Sequence, residues 1–181
     1  MPTRLSFICH ARTEAQRLGY FAADEPAEPA GLLKAAQMAP ALKKPVRILC
    51  APEIRTLQTA QVLGSEIEIV PALGDYDAGD WQGQRLSDLQ ARIPQELLDW
   101  TSNPFAAPHN GESVQDLCLR VSTWLDGFRE EGHFVVVTHP FVIRAAVLHA
   151  LGASLQAFNL INVEPLSRVD LRFNQCWRLR L

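Results

Sequence analysis

The sequence predicts an α/β fold: a three-layer sandwich whose central sheet is mostly parallel, with helices on both faces and an antiparallel edge at the C-terminal end. Three observations carry this. Short apolar runs alternate along the chain with segments of helical periodicity, the order that parallel strands joined by crossover helices produce. One run, Phe134 to Val137, contains no polar residue, as a strand buried on both faces requires. The final segment alternates charged with apolar side chains, the pattern of a half-exposed hairpin.

The elements follow in chain order. "RLSFIC" at 4–9 and "RILC" at 47–50 read as strands, and 53–64, directly after the second of these, as a helix. "IEIV" at 67–70 reads as a third strand. Over 112–130, Val114, Leu117, Cys118, Val121, Trp124, Leu125 and Phe128 recur at steps of three and four, which is one face of a helix. Ser113 followed by Asp116 resembles a capping box at its start, and Gly132 stands as a stop signal beyond its end. "HFVVVT" at 133–138 is the central strand, and 141–151, apolar nearly all round, is the helix that follows. Residues 165–181 predict the hairpin, turning about Asn174 and Gln175, while "ADEPAEPAG" at 23–31 reads as a polar loop.

Composition narrows the function. With 48% hydrophobic and 20% charged residues, the 181 residues suit one domain, 1–181, with a sizeable core. The net charge of −3 and the lack of a Lys/Arg run argue against nucleic acid as a partner. No apolar stretch is long enough to span a membrane, and the opening segment is too short and too polar for a signal peptide, so a cytoplasmic location is expected. The four cysteines form no Cys-x-x-Cys pair and read as reduced, mostly buried thiols. The five histidines include no close ligand pair, so no metal and no cofactor is expected.

In open parallel sheets, ligands bind beyond the carboxyl ends of the strands. His10 and His139 both stand just past a predicted strand end, and Arg55 lies on the helix after another, where its planar fork could meet a phosphate. Two histidines and an arginine in one crevice suggest phosphoryl chemistry.

Five blocks in order carry a family resemblance: Cys9-His10-Ala11-Arg12-Thr13 with Gln16; "APEIRTLQTA" around Arg55; "LGDYDAGDWQG" at 73–83; Gly111-Glu112-Ser113; and Val137-Thr138-His139-Pro140. Together they resemble the histidine phosphatase superfamily, also called phosphoglycerate mutase-like, in its small-phosphatase branch. The resemblance implies that His10 attacks phosphorus to form a phosphohistidine and that Asp75, at the family's glutamate, protonates the leaving oxygen. It also implies that Arg55 and His139 bind the phosphoryl oxygens with Thr13 and Gln16. Four positions depart from the family pattern: Cys9 replaces an arginine, Gln16 an asparagine, Asp75 a glutamate and Pro140 a glycine. Arg12 is the candidate to restore the charge lost at Cys9.

Blander readings apply elsewhere. Cys9 is a small buried strand residue and no cysteine-phosphatase nucleophile, because the arginine such a loop needs six residues on is Ala15. Trp81 is read as packing, Glu112 as support for its helix, His109 as a solvated loop residue, and His133 and His149 as structural. The expected function is a phosphomonoesterase acting on a small phosphorylated metabolite. The alternative is a weakly active or inactive member that binds a phosphorylated ligand or a protein partner; homodimerisation is left open.

Overall fold

The structure, a computed structural model, describes residues 2–42, 45 and 47–180. Six strands of the described residues form one sheet: β1 (Thr3–Cys9), β2 (Ile48–Cys50), β3 (Ile67–Ile69), β4 (His133–Thr138), β5 (Arg168–Asn174) and β6 (Cys176–Arg180). Their order across the sheet is β3-β2-β4-β1-β5-β6. The four strands from β3 to β1 pair in parallel, whereas β5 and β6 join antiparallel at one edge. The hairpin turns at Gln175, held at φ +66°; Leu181, within the predicted hairpin, lies outside the described residues.

The side-chain alternation of the strands divides the core between the two faces of the sheet. Phe134 and Val136 of β4 join Leu5, Phe7 and Cys9 of β1 in the larger apolar cluster, while Val135 and Val137 join Ile8, Ile48 and Cys50 in the smaller. Among the described residues, seven α-helices surround the sheet: α1 (Glu14–Leu18), α2 (Pro29–Met38), α3 (Ile54–Leu63), α4 (Leu86–Arg92), α5 (Pro94–Ser102), α6 (Val114–Gly127) and α7 (Pro140–Leu151). Helices α6 and α7 bury Leu117, Val121, Leu125, Val142 and Ile143 in the larger cluster, and α3 places Ala60 in the smaller. An α/β sandwich with an antiparallel C-terminal edge is therefore the architecture.

The capping box at α6 is formed: Ser113 Oγ accepts from Asp116 N–H, and Asp116 Oδ2 accepts from Ser113 N–H. Three local expectations are corrected. Gly132 does not end α6, which stops at Gly127; its carbonyl instead accepts from Arg4 N–H at the start of the sheet. The polar loop beginning at 23 gives way at Pro29, whose fixed φ and missing N–H suit the first position of α2. Four helices of the seven (α1, α2, α4 and α5) were not anticipated, since each buries one side chain or none against the core.

Candidate active site

Strand register assembles the site. β1 and β4 pair in parallel with Cys9 opposite Thr138, so the next residue of each, His10 and His139, leaves the sheet beside the other. Their ring centroids are 5.1 Å apart. β2 pairs with β4 as far as Cys50 opposite Val137, and the first turn of α3 then delivers Arg55 to the same edge. Asp75 follows the short turn at 71–73, which Thr138 anchors by donating its Oγ1–H to Leu73 O at 2.6 Å.

His10 is buried and its Nδ1 lies 2.8 Å from Ala11 O. A carbonyl can only accept, so Nδ1 carries the proton and Nε2 holds the lone pair. Nε2 has no hydrogen-bond partner among the described residues. Burial, reinforced by repulsion from His139, lowers the His10 pKa from 6.5 to about 3. The ring is consequently neutral, with a defined nucleophilic nitrogen, throughout the ordinary pH range.

Around it, two carboxylates hold the cationic and basic groups. Arg55, 2% exposed, donates from one terminal nitrogen to Asp75 Oδ2 at 2.5 Å and from the other to Ala23 O at 2.7 Å. Its Nε is buried without a partner. His139 Nε2 donates to Glu53 Oε2 at 2.7 Å, and Glu53 Oε1 accepts from Asp75 N–H at 2.9 Å. His139 Nδ1 stands 3.3 Å from Asp75 Oδ2, at ion-pair distance but without hydrogen-bond geometry. Burial would raise Asp75, yet His139, Arg55, His10 and the Tyr76 N–H outweigh it and hold the carboxyl below its ordinary value. Glu53 behaves alike: His139 and the Asp75 N–H overcome the effect of burial and lower it.

His10, Arg55 and Asp75 line one end of a cavity of about 290 Å³. Its remaining walls are largely aromatic: Tyr20, Phe21, Tyr76, Trp100 and Phe141. Behind them, Trp100 Nε1–H donates to Tyr76 Oη at 2.8 Å, and the same oxygen meets His109 Nε2 at 2.5 Å. His109 Nδ1 accepts from Gly111 N–H at 3.0 Å, so Nε2 is the protonated nitrogen and donates to Tyr76. The solvated His109 expected from its loop is thus corrected to a fully buried one. Among the described residues no group of three or more His, Cys, Asp or Glu could hold a metal ion.

The model of the Histidine phosphatase superfamily (branch 1) matches residues 5–180. The chain belongs to this superfamily. It is 24% identical over 178 residues to the 6-phosphofructo-2-kinase/fructose-2,6-bisphosphatase of Caenorhabditis elegans, covering 94% of this chain and 39% of that protein. It is 26% identical over 118 residues to the adenosylcobalamin/alpha-ribazole phosphatase of Escherichia coli, covering 61% and 58%. The chain therefore spans less than two thirds of either relative. Its fold superposes on the alpha-ribazole phosphatase of Shigella flexneri with a TM-score of 0.87 at 23% identity, covering 98% of this chain and 95% of the other.

Within this histidine phosphatase fold the other candidate residues are placed as follows. Thr13 is the N-cap of α1: its Oγ1 accepts from Gln16 N–H, while Gln16 Oε1 accepts from Thr13 N–H, both at 3.2 Å. Gln16 also lines the cavity; Thr13 does not. Arg12 is exposed and outside the cavity wall, so the structure does not bring its charge to the place left by Cys9. Cys9 is buried, and burial, with Asp75 nearby, pushes its thiol up to about 12. Pro140 is the first residue of α7, where a missing N–H costs the helix nothing, although it leaves no donor for a phosphoryl oxygen.

Glu53 was not singled out from the sequence. An acidic residue after a proline reads as a solvated helix start, and nothing local signals that it reaches His139. Among the packing residues, Trp81 is buried in the core, Glu112 forms an ion pair with Arg120 at 2.8 Å, and His149 pairs with Asp126 at 2.8 Å.

Proposed function

We propose that this chain is a phosphomonoesterase acting on a small phosphorylated metabolite through a phosphohistidine at His10. The observation that carries the reading is the state of His10: a neutral imidazole whose Nδ1 proton is tied to Ala11 O, leaving Nε2 free in the wall of a cavity that also holds Arg55. Relatives that are named phosphatases support the reaction class.

In the first step His10 Nε2 forms an N–P bond as the P–O bond to the alcohol breaks, and Asp75 gives its proton to the departing oxygen. Water then attacks phosphorus as it loses a proton to the Asp75 carboxylate, the N–P bond breaks, and inorganic phosphate, neutral His10 and protonated Asp75 are recovered. Arg55 and His139 offset the charge that develops on the phosphoryl oxygens. At rest Arg55 is committed to Asp75, so an incoming phosphoryl group competes with that carboxylate for the guanidinium. As it takes a share of Arg55, Asp75 loses part of what keeps it ionised and becomes easier to protonate, which is what a general acid needs.

A second reading, a weakly active or inactive member that binds a phosphorylated ligand or a protein partner, draws support from Cys9 and from the exposure of Arg12. Turnover of p-nitrophenyl phosphate separates the two. We expect hydrolysis by the wild-type chain and its loss in His10→Ala; equal rates in both proteins would favour the binder.

A further inference from the structure

The cavity beyond His10 has a chemistry that the phosphoryl end does not require. Its aromatic residues form a connected wall: Phe21 meets Trp100 edge-on with centroids 5.4 Å apart, and Tyr76 meets Phe141 edge-on at 5.1 Å. The Trp100 N–H and the Tyr76 oxygen are engaged with each other and with His109, which is not part of the cavity wall. What these two residues offer a ligand is therefore mainly ring surface. Leu86 adds a further apolar side chain, and Gln16, the Tyr20 hydroxyl and the Tyr76 O–H, whose oxygen only accepts in these two contacts, are the polar groups left beyond the phosphoryl end.

Charge points the same way. Arg55 is the sole cationic side chain among the described residues of the cavity wall, and it already faces Asp75. A substrate with a carboxylate or a second phosphate would bring that group against a largely apolar wall that holds no second cationic side chain, at the cost of part of its hydration; Arg85, over the Tyr20 ring at 5.9 Å, stands outside the lining. A polyhydroxylated alcohol would lose water for few replacement hydrogen bonds.

We propose that the cavity selects phosphomonoesters whose alcohol portion is aromatic and carries no second anionic group. The inference rests on the phosphomonoesterase reading above and adds the substrate class. Stacked and edge-on contacts with Phe21, Trp100 and Phe141 would hold the ring, which displaces water from the wall as it enters.

The test separates recognition from leaving-group reactivity by comparing 2-phenylethyl phosphate with ethyl phosphate, glycerol 3-phosphate and 3-phosphoglycerate, all esters of alkyl alcohols. We expect kcat/KM for 2-phenylethyl phosphate to exceed each of the others by on the order of ten- to a hundredfold, the range for burying one aromatic group. Phe141→Ala should lower that preference by about tenfold. Equal or faster turnover of glycerol 3-phosphate or 3-phosphoglycerate would overturn the substrate class while leaving the phosphatase reading intact. If no ester is hydrolysed above His10→Ala, the phosphatase reading fails, and calorimetric binding of the same four esters decides the cavity. Tighter binding of 2-phenylethyl phosphate would then sustain the aromatic selectivity, and equal or weaker binding would overturn it.

Discussion

At His10 the same burial that readies a nucleophile also costs stability in acid. The unfolded chain takes up a proton as the pH falls through about 6.5, whereas native His10 stays neutral down to about 3. Above about pH 7 neither state is protonated and nothing is lost; below it the native state falls behind progressively, by about 2 kcal/mol at pH 5. His10→Asn, whose amide can still donate to Ala11 O, removes this imbalance. Between pH 7 and pH 5 its stability in urea should fall about 2 kcal/mol less than that of the wild type, and equal losses would contradict the assignment. Glu53 offers a second check at this scale. In Glu53→Gln the amide nitrogen cannot accept from His139, so one charge-assisted bond is lost, and the stability at pH 7 should drop by about 2 kcal/mol. Because Glu53 is held below its ordinary value, that contribution is present above the usual carboxylate range and fades as the pH falls through it. The deficit of Glu53→Gln should accordingly narrow in acid.

The elements differ in how openly the sequence declares them. β1, β4 and α6 were legible because each imposes a long one-sided or two-sided apolar pattern, and Ser113 with Asp116 marked the start of α6. Helix α2 buries only Ala35 and α4 only Leu89, so neither leaves a stripe to read. Helix α1 is five residues long and starts at a cap, Thr13, whose hydroxyl the family resemblance assigned to phosphate. The two roles are separable. Gly caps helices about as well as Thr does but has no side-chain donor. If capping is what Thr13 supplies, Thr13→Gly should keep kcat on p-nitrophenyl phosphate within about threefold of the wild type. A fall of about a hundredfold, the scale of a lost oxyanion donor, would instead make Thr13 a phosphoryl ligand.

Across the whole molecule, the site is a product of topology. His10, Arg55, Asp75 and His139 were recognisable from five ordered blocks, but it is the parallel register of β1, β4 and β2 that brings three of them to one edge. The aromatic wall was not legible, since its residues come from four separate segments of chain and no motif marks them as one surface, although Tyr76 lies within the block at 73–83. His109 was misread for a related reason. Gly79 and Gly111 let two loops cross so closely that a Cβ on either would strike the other's backbone, and this crossing carries His109 into the interior. Among the described residues no helix is long and apolar enough to cross a membrane. The central claim is that phosphorus bonds to His10. Rapid mixing with p-nitrophenyl phosphate, followed by quenching in base and intact-mass and peptide analysis, reads it directly. An acid-labile phosphoryl group on His10, absent from His10→Ala, is the expected result; turnover with no covalent phosphoryl group, or the same adduct in His10→Ala, would contradict the account.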